Sequence, residues 1–208
     1  MRRQKISLAL NLLIIFLEMI GFVFAFSNHG WNALIYYTEL SNILLFVAAM
    51  FYVCYTVWDL QGQKIKMPRY VPLLKYAATL SVAITFIVVI TVLSWATKYS
   101  LWTLLTQQSM LFHHTLCPIL AILSFLFFEK YRFKKSDALI AMSFTLLYAV
   151  VAIFFNLIGE LVGPYPFLMV YAQPWWASLL WCIVILGGAY ALARLLRWAQ
   201  KKLTMPAN

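Results

Sequence analysis

The sequence predicts an all-α, polytopic membrane protein, and three observations carry that prediction. The 208 residues are 64% hydrophobic and only 11% charged, against an apolar share of roughly 45–50% in soluble domains. Six apolar runs lie near residues 6–26, 34–59, 73–96, 105–128, 138–161 and 176–198. Each is long enough to cross a hydrocarbon core of about 30 Å. The basic residues fall on alternate connections between these runs.

Backbone groups in hydrocarbon must be paired within their own segment, so the runs are expected to be helices. The short alternating segments of a membrane barrel are absent. Residues 1–208 read as a single six-helix domain.

A net charge of +10 raises the question of nucleic acid, and the charge distribution answers it. Arg2, Arg3 and Lys5 precede the first run. Lys64, Lys66, Arg69 and Lys75 lie around the second connection, and Lys130, Arg132, Lys134 and Lys135 in the fourth. Arg194, Arg197, Lys201 and Lys202 close the chain. Only Lys98 falls on the other side, so 15 of 16 basic residues share one face of a six-helix arrangement. By the positive-inside rule both termini are cytoplasmic. The expected partners are anionic and other membrane lipids, not nucleic acid.

Cys54, Cys117 and Cys182 each lie inside a run, with no paired spacing. No disulfide framework, zinc site or other metal site follows. No nucleotide motif is present, and no cofactor is expected.

Along the chain, Arg2-Arg3-Gln4-Lys5 before an apolar run resembles a signal peptide, but the run is too long and no small-x-small cleavage site follows. It reads as a retained first helix. Ser7, Asn11 and Glu18 share one of its faces. A carboxylate at that depth is costly and must be protonated or partnered. The second run opens with Tyr36-Tyr-Thr-Glu-Leu-Ser-Asn42, in which Thr38, Ser41 and Asn42 are spaced i, i+3, i+4 and share a face.

The third run carries the hydroxyls of Ser81, Thr85, Thr91 and Ser94, which suit helix packing. In the fourth, Thr106, Ser109 and His113 form one stripe, and Gln107 with His114 its neighbour. Pro118 removes a helical hydrogen bond, and the spacing assigns the freed acceptor to the carbonyl of His114. The fifth carries Asn156 and Glu160 at i, i+4 near its outer end. The fifth connection is broken by Gly163, Pro164, Pro166 and Pro174 and is rich in Tyr and Trp, as suits a headgroup-level cap. The sixth run has little polar content beyond its basic end.

With this topology Glu18, Thr38, Glu39, Asn42, His113, His114, Asn156 and Glu160 all fall in the outer half of the membrane, while polar groups in the inner half are sparser. The expectation is a one-sided pocket, not a continuous polar path. A hydroxyl and an imidazole at similar depth suit nucleophilic catalysis, in which histidine takes the hydroxyl proton. Glu18, Ser41, Asn42, Asn156 and Glu160 are candidates to bind substrate or stabilise an oxyanion. The product would be hydrolysis of a lipid ester. The same layer also suits non-catalytic lipid binding or scaffolding, with polar groups gluing helices together. A small-molecule transporter is a third reading; it requires a polar path to the inner face.

Three patches carry a family resemblance: Tyr36-Tyr-Thr-Glu-Leu-Ser-Asn42, His113-His-Thr-Leu-Cys-Pro118 and Gly163-Pro-Tyr-Pro-Phe-Leu168. In order and spacing they resemble the androgen-induced integral membrane family, whose members have six helices. The resemblance implies a threonine hydrolase of fatty-acid esters of hydroxy fatty acids, with a fatty-acyl ester as substrate. It places the nucleophile on Thr38 and the essential histidine on His113 or, in a shifted alignment, on His114. The short loops are more similar to the family's bacterial members, which implies a bacterial cytoplasmic (inner) membrane. Ser41 and Asn42 match only the bacterial pattern.

Overall fold

The computed structural model describes residues 2–63, 65–161 and 163–204. Lys64 and Val162, which the sequence assigns to the second and fifth connections, lie outside the described residues. The chain is all-α: it is 82% helical, and no strand occurs among the described residues.

Helix α1 spans Arg2–His29 and runs into a 3₁₀ turn at Gly30–Ile35. Helix α2 spans Tyr37–Leu60, and α3 spans Tyr70–Ala96 with a π-wound turn at Val89–Leu93. A short α4 at Leu101–Thr106 starts on Ser100, whose hydroxyl accepts from the Thr103 N–H. The chain then breaks at Gln107 and resumes as α5, Gln108–Phe127, with a second π-wound turn at Leu111–Leu116. Helices α6 (Asp137–Ala141) and α7 (Ser143–Leu157) are separated at Met142, and α8 spans Trp175–Thr204.

Five helices, α1, α2, α3, α5 and α8, are long and apolar enough to cross a membrane. The run expected as one helix over 138–161 consists of two pieces that meet at Met142, where the backbone stays helical and keeps i→i+4 bonds on both sides, and it stops at Leu157. Its longer piece, α7, has 15 residues, or about 22 Å at 1.5 Å per residue. That is short of the ~20 residues a span requires.

Contacts fix which ends meet. Gln4 donates to Asp59, Arg69 pairs with Asp137 at 2.6 Å, and the Gln200 amide donates to the Glu129 and Tyr131 carbonyls. These residues mark one end of the bundle, where most of the basic residues also gather. At the other end Asn28 donates to Gln108, Tyr148 donates to the Ile35 carbonyl, and Asn156 bonds Gly163. Helices α6 and α7 together therefore traverse the bundle from one end to the other. Gln108 has φ of +45°, a left-handed conformation that a non-glycine residue adopts at a cost, and Asn28 holds its side chain at that strained start of α5.

Helix α3 is the centre: 61% of its apolar window is buried, against 17% for α8. One cluster packs Ile14, Leu45, Ala48, Ala78, Cys117 and Ala121, joining α1, α2, α3 and α5. Its small residues let these backbones approach closely. A second cluster, including Tyr76, Leu80, Phe125, Ala152 and Ala193, joins α3 and α5 to α7 and α8. Outward-facing Leu179, Leu180, Ile183 and Val184 leave α8 apolar on its exposed side, as suits an integral membrane protein.

Candidate functional site

Thr38 is the second residue of α2, whose N-cap residue Tyr36 makes no capping bond with its own side chain. Its backbone N–H donates to the Tyr165 hydroxyl at 3.3 Å, and its Oγ1 lies 3.4 Å from the same oxygen. Because that oxygen accepts from the N–H, the phenol proton is left to be donated. Burial pushes the Tyr165 phenol up to about 12, partly offset by its hydrogen bonds to Thr38. It is therefore a neutral donor at ordinary pH. Tyr165 belongs to the connection between α7 and α8, and it stacks on Phe167 with ring centroids 5.3 Å apart.

Thr38 lines a cavity of about 250 Å³. The other walls are largely apolar or aromatic: Val89 and Leu93 of α3, Tyr148 and Ile153 of α7, and Trp181 and Leu186 of α8 among them. Leu146 and Val150 also line it and are exposed on α7, so the cavity reaches the lateral surface of the bundle. A mostly apolar chamber with a few convergent hydroxyls is the usual form of a small-molecule site.

The histidines lie on the π-wound turn of α5. His114 bonds the Leu104 carbonyl through Nδ1 at 2.7 Å. A carbonyl only accepts, so Nδ1 carries the proton and Nε2 keeps its lone pair. His113 is fully buried. Its Nδ1 is 2.8 Å from Glu39 Oε2 and its Nε2 is 3.3 Å from Glu18 Oε2. Neither contact is an aligned hydrogen bond, and both ring nitrogens lack a bonded partner. Phe22 packs on the ring at 4.9 Å between centroids, and Gly21 leaves the space it fills.

The remaining sequence candidates are held in structural bonds or lie outside the site. Ser41 donates to the Thr38 carbonyl at 2.9 Å and bonds Thr85. Asn42 donates to the Thr38 carbonyl at 2.7 Å and to the His113 carbonyl at 3.2 Å. The carbonyl freed by Pro118 is thus that of His113, not His114, because the π-wound turn shifts the pairing by one residue. Asn156 donates to the Gly163 carbonyl and accepts from its N–H, both at 3.2 Å, which ties down the Tyr165 connection. Glu160 is exposed beyond the end of α7.

The fold thus brings Thr38, Glu39, Glu18 and His113 into one layer, but no hydrogen bond joins Thr38 to either histidine among the described residues. The sequence reading overlooked Tyr165 as a partner of Thr38. Its one signal was a tyrosine between two prolines, in a patch already singled out. Among the described residues no group of three or more His, Cys, Asp or Glu is arranged to hold a metal ion. No family model, curated protein or solved structure matches the chain.

Proposed function

We propose that the protein is an intramembrane hydrolase of lipid esters, with Thr38 as nucleophile and the acyl chain in the apolar cavity. The observation that carries this reading is a hydroxyl on a helix's first turn, facing a laterally open chamber lined largely by hydrocarbon. An acyl chain that enters from the bilayer exchanges one apolar surrounding for another at little net cost, and it would bring the ester to the Thr38 end.

The chemistry follows from the bonding. The base is His114, whose Nδ1 donates to the Leu104 carbonyl and leaves the Nε2 lone pair to take the proton. Catalytic hydrogen bonds are often long in the absence of substrate. In this reading the Thr38–His114 contact closes when substrate displaces the Tyr165 hydroxyl from Oγ1. Thr38 Oγ1 attacks the ester carbonyl as its proton passes to Nε2. The Tyr165 O–H and the N-terminal end of α2 stabilise the oxyanion. The alcohol leaves with the proton from His114, and water then releases the fatty acid.

The same reading includes a six-span topology, in which α6 and α7 together form the fifth crossing and both termini are cytoplasmic. It places the cavity in the outer leaflet and the protein in a bacterial cytoplasmic membrane, with membrane lipids around it and a fatty-acyl ester as substrate. Membership of the androgen-induced integral membrane family belongs to this proposal, on the three patches that carry the resemblance. The test is release of fatty acid from a long-chain fatty-acyl ester by the purified protein in detergent. The wild type should turn over, and Thr38→Ala and His114→Ala should each lose at least 10²-fold, as for removal of a catalytic base or nucleophile. Binding of the ester without turnover in the wild type would instead indicate the lipid-binding protein.

A further inference from the structure

Of the two histidines on α5, His113 takes no part in the proposed reaction, and it stands between two acids. Glu39 Oε2 of α2 is 2.8 Å from its Nδ1, and Glu18 Oε2 of α1 is 3.3 Å from its Nε2. His113 and Glu18 are fully buried, and the Glu39 side chain is 10% exposed at the start of α2. Among the described residues neither acid has another ion-pair partner. Buried Lys75 of α3 pairs instead with Glu129 at 3.9 Å, in a separate cluster with Ser124 and Asn11. Buried polar groups are therefore not confined to one half of the bundle, as the sequence suggested.

The bonding chemistry indicates where the protons belong. An ionised carboxyl accepts through its oxygens, and a protonated one still accepts through its carbonyl oxygen. An imidazole donates from both nitrogens only as imidazolium. A net charge in the bundle interior is costly, and one imidazolium balances one carboxylate. The nearer acid is Glu39, so Glu39 and His113 form the ion pair. Enclosed Glu18 keeps a proton and accepts from Nε2. An ion pair needs proximity more than the alignment of a hydrogen bond.

That pair lies beside the nucleophile. Glu39 follows Thr38 in the first turn of α2. The positive end of the helix favours a negative charge there. An unbalanced Glu39 carboxylate would take up that effect itself. It would also repel the oxyanion that ester attack forms next to Thr38.

We propose that His113 is the counter-charge of Glu39, and that this pair lets an oxyanion form at the start of α2. The inference rests on the hydrolase reading. His113 and Glu39 are positioning residues: neither touches the reacting atoms, and both act through the field at Thr38. Two contacts hold the ring in place. Phe22 packs on it with centroids 4.9 Å apart, and Asn42 bonds the His113 carbonyl at 3.2 Å. The other titratable groups around the cluster are His114 and Cys117 of α5 and Tyr165 of the α7–α8 connection.

The test is fatty-acid release from a long-chain ester by purified His113→Gln, Glu39→Gln and the double variant, with nitrogen NMR of the wild-type His113 ring at neutral pH. His113→Gln leaves Glu39 unbalanced. It should lower kcat roughly tenfold with little change in KM, as for an interaction made only in the transition state. Glu39→Gln removes the charge and the need for its partner together, so it should lose less. Added to His113→Gln, it should recover most of the lost kcat. A ring that serves only to pack gives no such rescue. The wild-type ring should show the two equivalent protonated nitrogens of imidazolium, and this reading stands even if His113→Gln does not fold. A neutral His113 overturns the inference whether or not ester is cleaved. With a wild type that turns over, a double variant no better than folded His113→Gln overturns it as well and leaves the hydrolase reading intact. A wild type that releases no fatty acid overturns the hydrolase reading, and the counter-charge role with it.

Discussion

The side-chain amide of Asn42 donates to the backbone carbonyl of His113 across 3.2 Å. In a π-wound turn that carbonyl would be met by the N–H five residues on, which is Pro118 and has none. Asn42 therefore supplies a bond that the helix cannot make for itself, and it fixes α2 against the turn that carries both histidines. Asn42→Leu keeps the volume but removes the donor and leaves the His113 carbonyl short, while the Thr38 carbonyl keeps its bond from Ser41. A cost of about 1–3 kcal/mol is expected, read as a lowered Tm in detergent.

Gly21 lies against the His113 ring. A Cβ built at Gly21 would stand 2.2 Å from Nε2, so Gly21→Ala forces the imidazole away from Glu18. Overpacking of this kind costs typically 1–3 kcal/mol. The expected outcome is a lower Tm and a displaced His113 imidazole signal in NMR. An unchanged signal would mean that the α1–α5 contact is looser than described.

Tyr165 gives a pH dependence whose sign can be worked out. Burial raises its folded-state phenol to about 12, while the unfolded value is near 10. Neutral phenol is thus favoured by folding. Its contribution is fully present below about pH 10 and is lost as pH rises toward 12. Between those values the Tm of wild type should fall more steeply than that of Tyr165→Phe. Under the hydrolase reading the same variant should also lower kcat by roughly 10²-fold, as loss of an oxyanion donor does.

Cys182 lines the apolar cavity, Cys54 is exposed elsewhere, and Cys117 is buried. If the cavity holds an acyl chain, a long-chain fatty acid should slow alkylation of Cys182 by an apolar maleimide while leaving Cys54 unaffected. Peptide mass spectrometry resolves the two sites. Equal protection of both would signal a general detergent effect.

The helices were legible because the apolar runs and the basic connections each report them separately. The Thr38, Ser41 and Asn42 stripe was legible too, since helical spacing alone puts those residues on one face. What the stripe does was not. Ser41 and Asn42 turn their donors to the carbonyl of Thr38 and to neighbouring helices, and which neighbour they meet is a tertiary fact. The join at Met142 carries no proline or glycine to announce it. Lys75 and Glu129 lie close to basic connections in the sequence, and no spacing marks either as enclosed. Only the packing of α1, α3 and α5 shows them enclosed. The close approach of Glu39 and Glu18 to His113 joins residues from three helices, and no spacing rule within one helix reveals it.

The central claim is that Thr38 is the nucleophile, and covalent capture tests it most directly. Purified protein treated with a fluorophosphonate, digested and mapped by mass spectrometry, should carry the adduct on Thr38. Thr38→Ala should carry none, and His114→Ala should label far more slowly. An adduct on another residue, or labelling of folded Thr38→Ala at the wild-type rate, would contradict the account.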